Sequence, residues 1–251
     1  MYITFKSGKI LKDLVDICKD IVTEINLEIQ NDGIVMQAMD MSHVSLITFF
    51  IHKDDFSLYD VEKEEVLSLS LKSLNMILKC YKETFELSLN SNNNGFLQVI
   101  FYSNDIDNDT DKQYTWNLTL LNIESETLSI PSDESEIEIK INANEFSEMI
   151  KNMSSFGDSL HIKTIGKLLH LQVSGDIGNV EVHKSFNKDK MKTKGNMELS
   201  VAMRYLLLFM KGSTLTNDLQ IKMKKEQPLE LIYLINQNSY LQFFLAPKID
   251  D

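Results

Sequence analysis

The apolar positions of the chain follow two periods that alternate along its length. Four segments repeat apolar residues at helical spacing: Ile10–Val22, Leu71–Tyr81, Ala143–Met153 and Ala202–Lys211. Between them, short runs alternate apolar and polar residues, and turn residues such as Asp32-Gly33 and Gly175-Asp176 join neighbouring runs. An Asp-Gly pair between alternating runs is a strong hairpin signal. The pattern therefore predicts four helices separated by groups of hairpin-connected strands.

The predicted order of strand, helix and three strands occurs four times. Two copies fill residues 1–121 and two fill residues 136–251, whereas residues 122–135 are acidic, rich in serine and contain Pro131. Hairpin-connected strands imply antiparallel sheets that carry helices on one face. We therefore predict an α+β protein with an N-terminal domain at 1–121, an interdomain connector at 122–135 and a C-terminal domain at 136–251. Each domain is a duplicated βαβββ unit.

The charge balance argues against simple electrostatic binding to nucleic acid. The chain has 25 Lys and Arg residues against 37 Asp and Glu residues, a formal net charge of −12. An open surface with this charge repels phosphate groups. Any function that involves DNA therefore needs an arrangement that keeps local cations away from the acidic surface.

Two cysteines and the N-terminal residues point to an intracellular protein. Cys18 and Cys80 are far apart in apolar helical segments, and neither has a neighbour at metal-ligand spacing. They are predicted to be buried free thiols in a reducing compartment. The N-terminus lacks the apolar region of a signal peptide, and no apolar run is long enough for a transmembrane helix.

The sequence contains no recognisable catalytic motif. A P-loop, GxSxG, HExxH and a CxxC pair are all absent from the printed sequence, and its carboxylates are scattered. We therefore expect a protein that is not an enzyme and that needs neither a cofactor nor a metal ion.

Three strings carry a resemblance to a known family. Ala38–Leu46 reads AMDMSHVSL, Leu128–Pro131 reads LSIP and Leu245–Asp250 reads LAPKID. Together they resemble the proliferating cell nuclear antigen family of DNA sliding clamps. Further matching strings lie on the predicted helices, and the resemblance extends over residues 1–251.

The resemblance implies a DNA-clamp fold and a ring-shaped assembly. In this family three identical subunits contribute six similar domains, with sheets outside and helices lining a hole for duplex DNA. The implied partners are duplex DNA, bound without sequence preference, a clamp loader, and clients of the DNA polymerase, flap nuclease and ligase types. The implied location is the nucleus, or a cytoplasmic replication site if the source is a large DNA virus. A topological link also reconciles DNA with a charge of −12, because sliding needs only weak phosphate contacts.

Cations recur seven residues apart on three of the predicted helices. That spacing is about two helical turns, so each pair shares a face. The pattern alone fits either a solvated face or a DNA-facing one, and the resemblance favours the latter. The implied DNA-binding residues are Lys12, Lys19, Lys72, Lys79, Lys151, Arg204 and Lys211. Glu148 and Met76 occupy positions where well-known clamps carry cations.

The resemblance also implies an apolar pocket beneath the connector for a short client motif. Its residues come from separate segments of the chain, and for several of them core packing is the alternative. The implied pocket residues are Met39, His43, Val44, Leu46, Leu128, Ile130, Pro228, Phe244, Ala246 and Pro247. Buried aromatic anchors dominate the affinity of such client motifs. We interpret His43 as structural or client-contacting, because it has no nucleophile or metal partner nearby in the sequence.

Two strands are implied to form the subunit interface. The family pairs the strand around Trp116, the only tryptophan, with the strand around Asn179 of the next subunit, which removes exposed edges. The implied interface residues are Tyr114, Trp116, Asn179, Val180 and Val182.

Three alternative functions remain open at this stage. The lysine that carries ubiquitin-type modification in the family falls at Gly166 here, with Lys163 and Lys167 nearest. The resemblance therefore does not carry that modification over to this chain. A heterotrimeric or checkpoint clamp subunit is the first alternative, and a viral processivity factor is the second. An acidic adaptor that binds proteins without encircling DNA is the third alternative. The oligomeric state in solution separates a homotrimeric clamp from the others.

Overall fold

The computed structural model describes residues 1–92, 94–105, 110–123 and 134–248. The chain divides into two units, the first formed by Met1–Ala38 with Thr48–Leu128 and the second by Met39–Ile47 with Ser129–Asp251. The segment Met39–Ile47 thus belongs to the second unit although it lies early in the sequence. In the described part of the chain, no helix is both long and apolar enough to cross a membrane.

The first unit contains two helices and most of the strands of the N-terminal half. The elements of this half in chain order are β1 Tyr2–Phe5, α1 Lys9–Cys18, β2 Glu24–Gln30, β3 Gly33–Met39, β4 Ser45–His52, β5 Phe56–Asp60, β6 Glu65–Ser70, α2 Leu71–Leu78, β7 Glu86–Ser91, β8 Phe96–Asp105 and β9 Thr110–Thr119. One sheet has the order β5-β1-β7-β8-β9, and the strands β6, β2, β3 and β4 are neighbours in that order.

The second unit repeats this arrangement. Its elements are β10 Ile137–Asn142, α3 Ala143–Met153, β11 Ser159–Ile165, β12 Leu168–Gly175, β13 Gly178–Ser185, β14 Met191–Thr193, β15 Met197–Ala202, α4 Met203–Phe209, β16 Asp218–Met223, β17 Leu229–Leu234 and β18 Tyr240–Leu245. The strands run in the orders β14-β10-β16-β17-β18 and β13-β12-β11-β15, with antiparallel pairing. The predicted α+β fold with a repeated βαβββ order is confirmed.

Alternating burial explains how these strands build a core. In β2, Ile25, Leu27 and Ile29 are buried and the residues between them are not. Each helix adds an apolar stripe, as in α1, where Leu11 and Leu14 are fully buried. Within the two units, α1 packs on α2 and α3 packs on α4. The polar faces of the helices are therefore left on the side away from the sheets.

The structure corrects three helix boundaries, adds two strands and changes the predicted burial of one cysteine. Helix α1 ends at Cys18, α2 ends at Leu78, and α4 is a helix only over Met203–Phe209, followed by a 3-10 segment at Met210–Thr214. The short strands β5 and β14 were not predicted, since each offers few alternating apolar positions. Cys18 is buried as predicted, and burial raises the pKa of its thiol, but Cys80 is exposed.

Candidate functional site

The outward face of α1 carries cations that are largely engaged by neighbouring groups. The Lys12 ammonium donates to the carbonyl oxygen of Tyr81 at 3.2 Å. The Lys19 ammonium lies 2.6 Å from an oxygen of Asp16 and 3.6 Å from one of Asp20. Burial lowers the pKa of Lys19, but the hydrogen bonds and charges of the two aspartates outweigh it and raise that pKa. The face of α1 is thus a mixed-charge surface.

The outward face at α2 differs in how its lysines, Lys72 and the C-cap residue Lys79, are engaged. Lys72 and Lys79 are both exposed and lie outside the ion pairs found in the described part of the chain. Between them Met76 is 59% exposed. This face therefore presents two available positive charges flanking one apolar side chain.

The helices of the second unit combine cations with one acidic residue. Lys151 on α3 and Arg204 on α4 are exposed, and the Arg204 guanidinium lies 4.9 Å from the centroid of the Tyr205 ring. Glu148, also exposed, precedes Lys151 by one helical turn. Lys211 is exposed in the 3-10 segment after α4. The implied DNA-binding residues accordingly differ in how much net positive charge they offer.

A buried aspartate organises the loop between β3 and β4. One oxygen of Asp40 accepts from the backbone amides of Val44 at 2.9 Å and Ser45 at 2.6 Å, and the other accepts from the amide of Ser42 at 3.0 Å. The Tyr205 hydroxyl donates to the second oxygen at 2.8 Å. Burial raises the pKa of Asp40, but these four donors outweigh it and hold the pKa below its usual range.

The tip of this loop is exposed and turns sharply. His43 has a positive φ of 55°, a left-handed conformation that is uncommon outside glycine. Its ring nitrogen Nδ1 lies 3.0 Å from the sulfur of Met39, which is half-buried. Met41 is 91% exposed. Met39 and His43 are therefore brought into contact, as a shared pocket wall requires.

The end of the loop joins the last strand of the chain. The Ala246 amide donates to the Val44 carbonyl oxygen at 2.9 Å. β4 and β18 are neighbours in the sheet, and with antiparallel strands the register of this bond sets Leu46 opposite Phe244. Since alternate residues share a face of a sheet, Val44, Leu46, Phe244 and Ala246 lie on one face.

Two adjoining clefts border this face. Pro228 and Phe244 line the first, and Pro247 lines the second; Lys224 and Gln227 line both. The structure thus brings eight of the ten implied pocket residues into one region of the second unit. Leu128 and Ile130 lie outside the described residues.

Polar residues that sequence reasoning missed border the apolar face. Glu230 is paired with Phe244 across β17 and β18, accepts from the Gln242 amide, and lies 3.6 Å from the Lys222 ammonium. The strand alternation that places Pro228 on this face also places Glu230 there. The apolar face therefore has a charged border.

Both halves of the chain match models of known protein families. A model described as "Proliferating cell nuclear antigen, N-terminal domain" matches residues 1–127, and one described as "Proliferating cell nuclear antigen, C-terminal domain" matches residues 129–248. This chain belongs to the proliferating cell nuclear antigen family.

Two relatives extend the family assignment over nearly the whole chain. The chain is 32% identical to the proliferating cell nuclear antigen of Chaetomium thermophilum, over 98% of this chain and 97% of the relative. It is 31% identical to a protein named probable DNA polymerase sliding clamp from Autographa californica nuclear polyhedrosis virus, over 98% and 95% of the two chains. A fungal and a viral relative are thus equally similar to it.

The two strands of the implied interface in this proliferating cell nuclear antigen family member are edge strands. In the described sheets, β9 and β13 each have a neighbour on one side only. On β9, Tyr114 is 47% exposed and stacks on Trp116 with ring centroids 5.7 Å apart. On β13, Asn179 is exposed, whereas Val180 and Val182 are half-buried beside the buried residues of β12. At this edge the backbone groups of Val180 and Val182 are therefore more available to a partner strand than their side chains.

Proposed function

We propose that this chain is the subunit of a DNA sliding clamp that encircles duplex DNA and serves as a processivity factor for a DNA polymerase. The observation that carries the proposal is that both halves of the chain match the family and repeat the same βαβββ order. The name of the viral relative supports the polymerase link. Within this proposal the domains are residues 1–121 and 136–251, joined by a connector at 122–135.

The ring is a homotrimer in which β9 of one copy pairs with β13 of the next. Long unpaired edges invite uncontrolled association, so proteins usually cover or block them. Pairing around Tyr114 and Trp116 with Asn179, Val180 and Val182 covers both edges and closes the ring.

The DNA contacts are few, weak and independent of sequence. Lys72, Lys79, Lys151 and Arg204 contribute most, because Lys12 and Lys19 already interact within the chain. Lys211, which is exposed in the 3-10 segment after α4, is a further contributor. A closed ring retains DNA without strong contacts, so the net charge of −12 does not prevent the function.

The client pocket recruits replication and repair enzymes. Met39, Val44, Leu46, Phe244 and Pro247 receive the apolar anchors of a short client motif, and Leu128 and Ile130 complete the pocket in this proposal. The clients are of the polymerase, clamp-loader, flap-nuclease and ligase types. The chain itself is not an enzyme, and it acts at the site of DNA replication, in the nucleus or at a cytoplasmic viral site.

Retention on DNA of different topology tests the proposal. The protein is loaded by a clamp loader onto a nicked circular plasmid, and the complex is then isolated by gel filtration. We expect retention on the circle, release when the plasmid is linearised, and retention on linear DNA whose ends are blocked by streptavidin. Equal retention on open linear and circular DNA would contradict encirclement.

A variant at the interface provides the matched control. Trp116→Asp places a charge in the proposed subunit boundary and should reduce the trimer to smaller species in light scattering. The same variant should lose retention on the circle. An intact trimer in this variant would show that β9 is not the interface, whereas a monomeric wild-type chain would favour a heteromeric clamp or an adaptor.

A further inference from the structure

Two histidines and a glutamate meet on the solvent face of the sheet formed by β13, β12, β11 and β15. His170 on β12 is directly opposite His183 on β13, and Glu181 precedes His183 by two residues on the same strand. These three side chains share one face, because Leu169 and Leu171, which flank His170 on β12, are buried on the other face. The register therefore places three potential metal ligands side by side.

The distances between the ligand atoms suit a metal ion. Oxygen Oε2 of Glu181 lies 3.5 Å from Nε2 of His170 and 3.5 Å from Nε2 of His183. One ligand atom from each of the three residues falls within 4.8 Å of the others. Zinc bonds of about 2.0–2.1 Å in a tetrahedron place ligand atoms roughly 3.3 Å apart. Oε2 of Glu181 thus lies at nearly this distance from the Nε2 atoms of both His170 and His183.

The state of His170 gives a second, independent observation. Its Nε2 atom is buried and has no hydrogen-bond partner among the described residues, although the Glu181 carboxylate is near. Buried polar atoms are nearly always hydrogen-bonded, and an unpaired one calls for a physical explanation such as a bound ion. The His170 imidazole therefore lies beside the Glu181 carboxylate without forming a hydrogen bond to it.

We propose that His170, Glu181 and His183 form a binding site for a divalent transition metal ion of the Zn²⁺ type. Imidazole nitrogen and carboxylate oxygen are ligands of zinc, and three protein ligands leave a fourth position for water. The two rings are now stacked with centroids 4.1 Å apart. Modest side-chain rotations direct both nitrogens to one ion, and the partial exposure of Glu181 and His183 leaves room for them.

The neighbouring charges are compatible with a cation. Lys163 is opposite His170 on β11, but its ammonium lies 3.0 Å from a carboxylate oxygen of Glu198 on the far side. All three ligands belong to one chain, so the site does not depend on the proposed ring. Its effect is to fasten the edge strand β13 to β12.

Zinc titration of the full chain without a polyhistidine tag tests the proposal. We expect one Zn²⁺ per chain by calorimetry, visible absorption of bound Co²⁺ typical of tetrahedral coordination, and a melting temperature that rises with added Zn²⁺. His170→Gln, Glu181→Gln and His183→Gln should each weaken Zn²⁺ binding at least tenfold.

The control is another histidine on the same face. His161 on β11 interacts with the Ser200 hydroxyl at 2.7 Å and lies outside the cluster, so His161→Gln should bind Zn²⁺ like the wild type. Because His183 is exposed, its variant keeps the fold and gives a clean comparison. No binding by the wild type, or equal binding by the wild type and all three ligand variants, would overturn the proposal.

Discussion

The loop around Asp40 and the outward face of α1 both set carboxylates beside hydrogen-bond donors, yet they do so in opposite ways. Asp40 is buried and accepts five hydrogen bonds, one of them from the Ser45 hydroxyl and one from Tyr205, which is 165 positions away. On α1, Asp13 and Asp16 face water and pair with lysines one turn away on the same helix. The buried carboxylate fixes a shape, whereas the exposed ones only moderate a surface charge.

The largest expected effect is on the buried side of this comparison. Asp40→Ala leaves the amides of Ser42, Val44 and Ser45 without their acceptor, and unsatisfied buried donors are costly. We expect a loss of about 3 kcal/mol in the free energy of unfolding, measured by urea denaturation. Tyr205→Phe removes one donor of the five and should cost about 1 kcal/mol. Equal losses in the two variants would mean that the tyrosine bond alone carries the network.

The next effect separates the pocket from the loop that supports it. Met39→Ala combined with Pro247→Ala should weaken a glutamine-led peptide with two aromatic anchors by about 2 kcal/mol or more, roughly thirtyfold. The matched control is Met41→Ala, since Met41 is on the same loop but 91% exposed. Calorimetry gives the affinity and thermal melting the stability. A sharp fall in melting temperature with unchanged affinity would place Met39 and Pro247 in the core instead.

Much of the fold could be predicted from the sequence because its signals are local. The bounds of α3 were predicted correctly at Ala143–Met153, where the Asn142 side chain accepts from two backbone amides and sets the start. The end of α1 was missed because apolar residues continue past Cys18, and Val22 remains buried after the helix has stopped.

The candidate sites were less predictable where strand pairing or distant contacts build them. The string around Asp40 is contiguous and could be recognised, but its bond to Tyr205 crosses most of the chain. Likewise, no spacing motif joins His170 to Glu181 and His183, and the expectation of no metal site followed from motifs alone. Their proximity comes from the register of β12 and β13. The places of Leu128 and Ile130 stay predictions.

A smaller effect on the free energy of unfolding is expected from protonating Asp40, because protonation removes the charge but leaves the side chain in place. Its pKa is lowered in the folded state, so between the folded and unfolded values the unfolded chain binds more protons. The stabilisation is therefore present above the unfolded value of about 3.9 and is lost as pH falls through the folded value. The free energy of unfolding is measured by urea denaturation from pH 6 to pH 3. The amount by which the wild type exceeds Asp40→Asn should decrease as the pH falls. An advantage that is independent of pH would exclude the charge as its source.

The smallest effect on stability is expected at the helix faces, and there the function should change instead. Surface ion pairs contribute little, so Lys12→Ala with Lys19→Ala should alter the free energy of unfolding by less than about 1 kcal/mol. Lys72→Ala with Lys79→Ala should be as mild, because both side chains are exposed.

The two pairs nevertheless differ in available charge, since Lys12 and Lys19 already contact Tyr81, Asp16 and Asp20. Retention of the loaded clamp on circular DNA at low salt should therefore fall more for the α2 pair than for the α1 pair. Added salt should reduce the difference, because screening removes the same electrostatic term. If the α1 pair lowers retention more, the internal contacts of Lys12 and Lys19 do not withhold their charge from DNA, and the contrast between the two faces fails.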